Sequence, residues 1–458
     1  MNHFDPNKTD QTGRREIASH YYPLTGPYDS SDKDILEYHV LLMKLSGIDG
    51  VMVDWYGDEN FNDYGVINSA TGALFNYIKK ANLYFVIVYE DGTIKAMVNA
   101  GHINIANAVS YGKKAIDYLQ NTWFASDSYL KIDNRPVLLN FGLQYFKSSS
   151  DWITIFSDLP VQPLFFTEDN ILSAVSVGAY PCPPMWKSNS SGVLTQSALN
   201  DYLNQFYQKA NGWNHKIGSA FPGFYDIYEE VGVGSSYGFL DSQNGVTFNS
   251  TLQQALDNHP DIIQLVTWND FGEGTNIEPT LEYGYQYLER IQEIKKSAID
   301  SSFNFKKEDL TLPYKIYELR KKFPNDNGIN SILDKTFDLI VSGDIEKANY
   351  ILDSLATPAD VQTNSGINPK SYVLNQNYPN PFNPSTVINY YLPVPGYVSL
   401  KIYDSIGREI AVLANEFQQS GNHNIQFSFP ESRLPSGVYF YRLQSGGFVQ
   451  TKKMTILK

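Results

Sequence analysis

The sequence predicts an α/β fold: a (β/α)8 TIM-like barrel, followed by a small helical segment and a C-terminal all-β sandwich. Three observations predict it. Short apolar runs alternate with helical patterns over residues 15–301, as in a parallel sheet with helical crossovers. That span holds eight strand candidates, the number that closes a barrel. From residue 372 onward the texture changes to period-2 alternation between turns, the mark of short antiparallel strands.

Strands are expected at residues 16–21, 50–55, 84–89, 135–141, 163–167, 174–177, 217–221 and 262–268. Helices are expected at 32–46, 70–81, 104–120, 197–210, 250–258 and 280–299. In the first helix Ile35, Leu36, Val40, Met43 and Leu45 fall roughly on one face at the helical period. Ser30-Ser31-Asp32 supplies its cap. Only residues 168–173 separate the fifth and sixth strands, too few for a crossover helix. The barrel is therefore expected to be degenerate, with a doubly wound open sheet as the alternative. Residues 302–356 read as a helical appendage or spacer, with short helices at 312–323, 330–341 and 345–355. Residues 357–371, rich in Pro, Ser, Thr, Asn and Gly, read as a linker. Residues 372–458 hold six short strands, at 387–392, 398–403, 409–413, 424–429, 437–443 and 448–456, which make a β-sandwich.

A chain of 458 residues is too long for one ordinary core, so two or three domains are expected. The net charge of -14 repels nucleic acid and anionic lipid, so no nucleic acid partner is expected. No stretch is long and apolar enough to span a membrane. The 33 tyrosines and 6 tryptophans suit sugar binding, since a ring offers an apolar face to C–H groups and a polar tip to hydroxyls; most of them still fill cores and strands. The single cysteine, Cys182, permits no internal disulfide and reads as a small buried hydrophobe. The 7 histidines are scattered without a His-x-x-x-His pair, so no metal is expected. There is no GxGxxG, P-loop or nucleophile elbow either, so no cofactor is expected.

Chemistry in a (β/α)8 barrel gathers at the C-terminal ends of the strands. Those ends carry His20-Tyr21-Tyr22, Asp54-Trp55-Tyr56, Tyr89-Glu90-Asp91, Thr167-Glu168-Asp169, the stretch from Tyr180 to Trp186, Phe224-Tyr225-Asp226 and Trp268-Asn269-Asp270. Cleavage of a glycosidic bond needs an acid for the leaving oxygen and a second carboxylate to help form the new bond. Asp270 and Glu273, three apart in a loop rich in glycine and aromatics, are the candidate catalytic pair. Tyr22, Asp54, Trp55, Glu90, Glu168, Trp186, Tyr225, Asp226, Trp268 and Asn269 are the candidate substrate-binding residues. The aromatics among them are read as stacking platforms and the acids as partners of sugar hydroxyls.

The segment from Trp268 to Pro279 resembles glycoside hydrolase families 71 and 99, which include endo-α-1,3-glucanases and endo-α-mannosidases or mannanases. His20-Tyr21-Tyr22-Pro23, Gly47-Ile48-Asp49-Gly50, Asp54-Trp55-Tyr56, the stretch 129–136 and Pro222-Gly223-Phe224 support it, so the resemblance spans roughly residues 15–300. It implies that Glu273 is the general acid/base. In family 99 the residue at the Asp270 position is a base on the substrate's own 2-hydroxyl, giving retention through an anhydrosugar. Family 99 has Glu there, and His where Gly272 stands. The Asp-Phe-Gly-Glu form looks more like family 71, for which inversion is expected.

The C-terminal module resembles a type IX secretion sorting domain, through Asn375-Gln376-Asn377-Tyr378-Pro379-Asn380-Pro381-Phe382-Asn383-Pro384, Asp404-Ser405-Ile406-Gly407-Arg408 and Leu434-Pro435-Ser436-Gly437-Val438-Tyr439. This implies an export address read by the type IX machinery. The polar N-terminus lacks the apolar core of a signal peptide, so the sequence is expected to begin downstream of the native start. The combined expectation is a secreted or cell-surface glycoside hydrolase, endo-acting on an α-linked polysaccharide, either α-glucan or α-mannan. The alternative is a non-catalytic surface glycan-binding protein on the same barrel.

Overall fold

Parallel strands alternate with helices α1 (Lys33–Ser46), α2 (Tyr64–Lys80), α3 (Gly92–Asn99), α4 (Ala108–Leu119), α5 (Ser149–Phe156), α6 (Gln196–Ala210), α7 (Val246–Asp257) and α8 (Gln286–Ile294) in the computed structural model, which describes residues 5, 7–11, 13–356, 372–428, 434–445 and 448–456. The described residues divide into two units, one within residues 1–358 and one within 359–458. The expected linker, 357–371, lies outside the described residues.

The first unit is a (β/α)8-type barrel with irregular closure. Gly50–Trp55, Tyr84–Tyr89, Arg135–Asn140, Leu164–Glu168 and Gly178–Tyr180 pair in that order, all parallel. Ile217–Ala220 and Ile262–Leu265 form a second parallel ladder. The two ladders meet at Gly178, where an added Cβ would lie 2.0 Å from the His215 carbonyl oxygen; only glycine permits that approach. Ser219 Oγ donates to the Pro181 carbonyl at 2.6 Å beside it. Phe85, Ile87, Leu138, Phe165 and Phe166 are fully buried, as befits parallel strands covered on both faces. Helix α1 is closed at its start by the Asp32 side chain, which accepts from Asp34 N, and at its end by Gly47 at φ 86, a left-handed cap suited to glycine.

Several expectations need correction. Residues 16–21 form no strand: Ser19 Oγ accepts from Tyr21 N at 2.9 Å, and such a local bond competes with a ladder. The following residues are instead tied to the chain beyond the last barrel strand, through Leu281 N to the Tyr22 carbonyl and Leu24 N to the Pro279 carbonyl. The strand placed at 174–177 lies at Gly178–Tyr180, because Ala174 turns the chain at φ 66. The connection before it is indeed without a helix. The last barrel strand stops at Leu265, since Thr267 N turns to bond the Thr275 carbonyl. Helices α3 (Gly92–Asn99) and α5 (Ser149–Phe156) were not expected, and α8 begins six residues later than the pattern suggests, at Gln286.

The helices after the barrel, α9 (Leu312–Lys322), α10 (Asn327–Ser342) and α11 (Ile345–Ala356), are no spacer. Ile316, Leu319, Leu333, Phe337 and Ile340 join the same core as Leu41 and Leu45 of α1. Arg320 is buried there and reaches Glu37 of α1 at 2.8 Å and Asp334 of α10 at 2.6 Å.

The second unit has two antiparallel sheets. One orders Val373–Leu374, Ser385–Leu392 and Gly421–Ser428; the other orders Glu409–Gln418, Gly396–Tyr403, Gly437–Ser445 and Phe448–Ile456. Ile388, Tyr390, Leu392, Val398, Leu400, Tyr441 and Met454 alternate inward and fill its core, as in a sandwich.

Candidate active site

The loop that follows Ile262–Leu265 is built by its own hydroxyls and amides. Thr267 N donates to the Thr275 carbonyl at 2.8 Å, closing the loop at its base. Thr267 Oγ1 accepts from Asp270 N at 2.9 Å, and Asp270 Oδ1 accepts from Glu273 N at 2.9 Å. Asp270 thus caps the turn that carries Glu273. Gly274 sits at φ 63, and a Cβ there would fall 2.6 Å from the Tyr225 carbonyl oxygen. Its absence lets the loop join the hairpin segment after Ile217–Ala220: Tyr225 N donates to the Glu273 carbonyl at 2.8 Å and Ile227 N to the Gly272 carbonyl at 3.0 Å.

Burial pushes the Glu273 carboxyl up to about 7, with the charges of Asp270 and Asp226 adding to it and the Tyr228 hydroxyl, 3.5 Å from Oε1, opposing it. Burial also raises Asp270, against the backbone N–H groups of Glu273 and Gly272, which favour its charged form. Three more acids stand at the strand ends. Burial raises Glu90 to about 8, helped by Asp54, Asp91 and Glu168. It raises Glu168 to about 7, helped by Asp169. Asp54 rises to about 6, again by burial first, with the Tyr56 hydroxyl 3.2 Å from Oδ2 pulling it down and Asp270 pushing it up. Asp54 is exposed, so water tempers its shift. The acidic groups that raise Glu273, Glu90, Glu168 and Asp54 come from five different strand ends. Among the described residues no set of three His, Cys, Asp or Glu is placed to hold a metal ion.

Residues 1–296 match the family described as Glycosyl hydrolase family 99. The chain belongs to that family. A family 99 member accounts for carboxyls converging at the strand ends, since the family is one of glycosyl hydrolases. Residues 376–457 match the Secretion system C-terminal sorting domain, which marks this family 99 chain for export. Relatives include the mouse (Mus musculus) protein named Glycoprotein endo-alpha-1,2-mannosidase, 22% identical over 306 residues, 61% of this chain and 62% of that one. A Danio rerio protein named Glycoprotein endo-alpha-1,2-mannosidase-like protein is 22% identical over 307 residues, 60% of this chain and 64% of that one. The chain thus spans under two thirds of the length of these curated relatives. A solved GH99 endo-alpha-mannosidase from Bacteroides thetaiotaomicron superposes with a TM-score of 0.49 at 19% identity, over 64% of this chain and 90% of that one. No helix of the described residues is long and apolar enough to cross a membrane.

The strand ends bring Asp54, Glu90, Glu168, Asp270 and Glu273 near enough for their charges to act on one another. Other expected site residues fall elsewhere. Trp55 is fully buried, stacked on Tyr118 and bonded through Nε1 to Asn68; it is a core residue, not a stacking platform. The reason is the strand's period of two: with Asp54 toward the cleft, Trp55 points into the helical layer. Asp226 is buried and its carboxylate accepts from Tyr228 N, Ser236 Oγ and Tyr237 N, so it organises the loop 226–238 and is no sugar contact. Trp268 is half-buried, with His39 edge-on at 5.6 Å and its Nε1 buried; it packs on the core instead of standing open. The Tyr22 hydroxyl accepts from Arg15 N and its ring lies under the Arg14 guanidinium, so its side chain is engaged by the N-terminal segment while its backbone bonds Leu281 and Glu282.

Tyr225 keeps an open edge beside its stack on His20, 3.5 Å between rings, and lines a groove of about 290 Å³ with Ser191, Glu229 and Phe239. Trp186 is 71% exposed, edge-on to Tyr202. Asn269 is exposed and donates through Nδ2 to the Tyr28 hydroxyl at 3.0 Å. The sequence reading missed Tyr228, which reaches Glu273, and Gln144, which donates to Glu90 Oε2 at 3.0 Å. Both sit on irregular segments whose placement depends on long-range bonds, Gln144 through its backbone N–H to Asp91.

Proposed function

We propose that this chain is a secreted glycoside hydrolase cutting internal bonds of an α-linked polysaccharide, with α-mannan preferred over α-glucan. The observation that carries the reading is the Asp270–Glu273 pair on one closed turn, with Glu273 pushed up to about 7. A carboxyl poised there is still protonated near neutrality and suits proton donation to a leaving glycosidic oxygen. Asp270, steadied by backbone N–H groups on the other side of the turn, is the second carboxylate, acting as base toward the attacking oxygen. Asp54, Glu90 and Glu168 then bind sugar hydroxyls, with Trp186 and Tyr225 as ring platforms. The names of the relatives, endo-alpha-1,2-mannosidases, support mannan as the glycan. The sorting domain supports delivery to the cell surface or medium through type IX machinery. We take residues 15–301 as the catalytic region, 302–356 as its helical buttress, 357–371 as linker and 372–458 as the sorting domain.

The test is digestion of a panel of α-mannans and α-glucans with product analysis by proton NMR. Oligosaccharides released from an α-mannan support the proposal, and the anomer formed first distinguishes retention from inversion. Binding to one glycan with no release from any would favour the glycan-binding reading.

A further inference from the structure

Behind the catalytic loop lies a chain of polar groups that the proposed mechanism does not use. Glu278 is buried, its side chain wholly without exposure. Its Oε2 accepts from the Tyr28 hydroxyl at 2.6 Å. Its Oε1 lies 3.2 Å from Nε2 of His39, at ion-pair distance though not aligned as a hydrogen bond. His39 in turn stands edge-on to Trp268, the residue before Asn269. The Tyr28 oxygen accepts from Asn269 Nδ2 at 3.0 Å, and Asn269 is exposed beside Asp270.

The chemistry gives this chain a direction. A carboxylate only accepts, so the Tyr28 proton must go to Glu278. The Tyr28 oxygen is then left as an acceptor and can receive only the NH2 end of Asn269. An amide held by its nitrogen shows its carbonyl oxygen on the other side. We propose that Glu278 and Tyr28 are positioning residues that fix the Asn269 amide with its carbonyl oxygen toward the bound glycan, where it accepts from a sugar hydroxyl. Resting on the hydrolase reading, this makes Asn269 a specificity-determining residue: it demands a hydroxyl that donates, next to the cleaved bond.

The experiment is a double-mutant cycle with a structural arm. Tyr28→Phe keeps the ring and removes the relay oxygen; Asn269→Ala removes the acceptor. Each is expected to lower kcat/KM on the cleaved α-glycan by about tenfold, the scale of one neutral hydrogen bond, mainly through KM and with the pH profile unmoved. The double variant is expected to lose no more than either single one, because both break one chain. Additive losses, or a Tyr28→Phe variant as active as the parent, would overturn the proposal. The structural arm does not depend on activity: a crystal structure of Tyr28→Phe should show the Asn269 amide turned or in two orientations. An amide unchanged there refutes the positioning role even if the hydrolase reading holds. A turned amide in a protein that cleaves no α-glycan leaves the positioning standing and refutes the hydrolase reading alone.

Discussion

At the residue scale, the proposed function gives Glu273 and Asp270 one job each, and their proton affinities would then set the working pH. The proposed mechanism needs Glu273 protonated and Asp270 ionised. As pH rises through about 7, Glu273 loses its proton, so kcat/KM falls on the alkaline side with that midpoint. As pH falls, Asp270 gains a proton, at a pH above the ordinary range for an aspartate because burial raises it. The profile measured on an α-mannan is expected to be a bell whose alkaline limb lies near 7; a flat profile from 6 to 9 would contradict the acid assignment. Glu90 gives a stability prediction of unusual sign. Its folded value, about 8, lies above that of an unfolded glutamate. Between those two values the native state binds more protons than the unfolded one, so this group destabilises the fold progressively as pH rises. Glu90→Gln, which cannot ionise, is expected to leave stability near pH 4 little changed and to stabilise by about 2 kcal/mol at pH 8, roughly half the full shift because water reaches this half-buried carboxyl. Urea melts at the two pH values would check it.

At the scale of elements, Arg320 of α9 holds the helices after the barrel to α1. Its guanidinium is buried between Glu37 and Asp334, and burial keeps Glu37 above the usual carboxylate range even so. Removing one partner strands the other's charge in the core. Arg320→Ala is expected to cost about 3–5 kcal/mol, whereas the neighbouring Lys321→Ala, which lifts an exposed ammonium off Asp32 and Asp34, should cost under about 1 kcal/mol. Equal losses in denaturant melts would show that Arg320 is no anchor. The elements also show what a sequence can and cannot reveal. Tyr84–Tyr89 and Arg135–Asn140 are apolar on both faces and could hardly be anything but buried strands. Residues 16–21 mix polar and apolar side chains instead, and the Ser19 hydroxyl takes the Tyr21 N–H so that no ladder forms. Asp270 and Glu273 are legible because their partnership is local. Asp54, Glu90 and Glu168 are legible because strand ends on one rim must converge. Tyr228 is not, because long-range bonds place it: Ile227 N to the Gly272 carbonyl, with the Asp226 carboxylate gathering Tyr228, Ser236 and Tyr237. The burial of Trp55 is not legible, because a rim position says nothing about which side of the strand a side chain takes.

At the scale of the molecule, every residue assigned to the cleft lies in the first unit, and the export match lies in the second. A chain ending at residue 358 is therefore expected to keep kcat/KM within about twofold and, in a host with type IX export, to stay inside the cell; loss of activity on truncation would contradict the division of labour. The central claim is that Glu273 donates the proton in glycoside cleavage. The most direct test is Glu273→Gln assayed on the best-cleaved α-glycan beside the parent chain, with binding followed by calorimetry. The account predicts a fall in kcat of at least about 10²-fold with glycan binding retained. A Glu273→Gln variant that still turns over at the parent rate would contradict it.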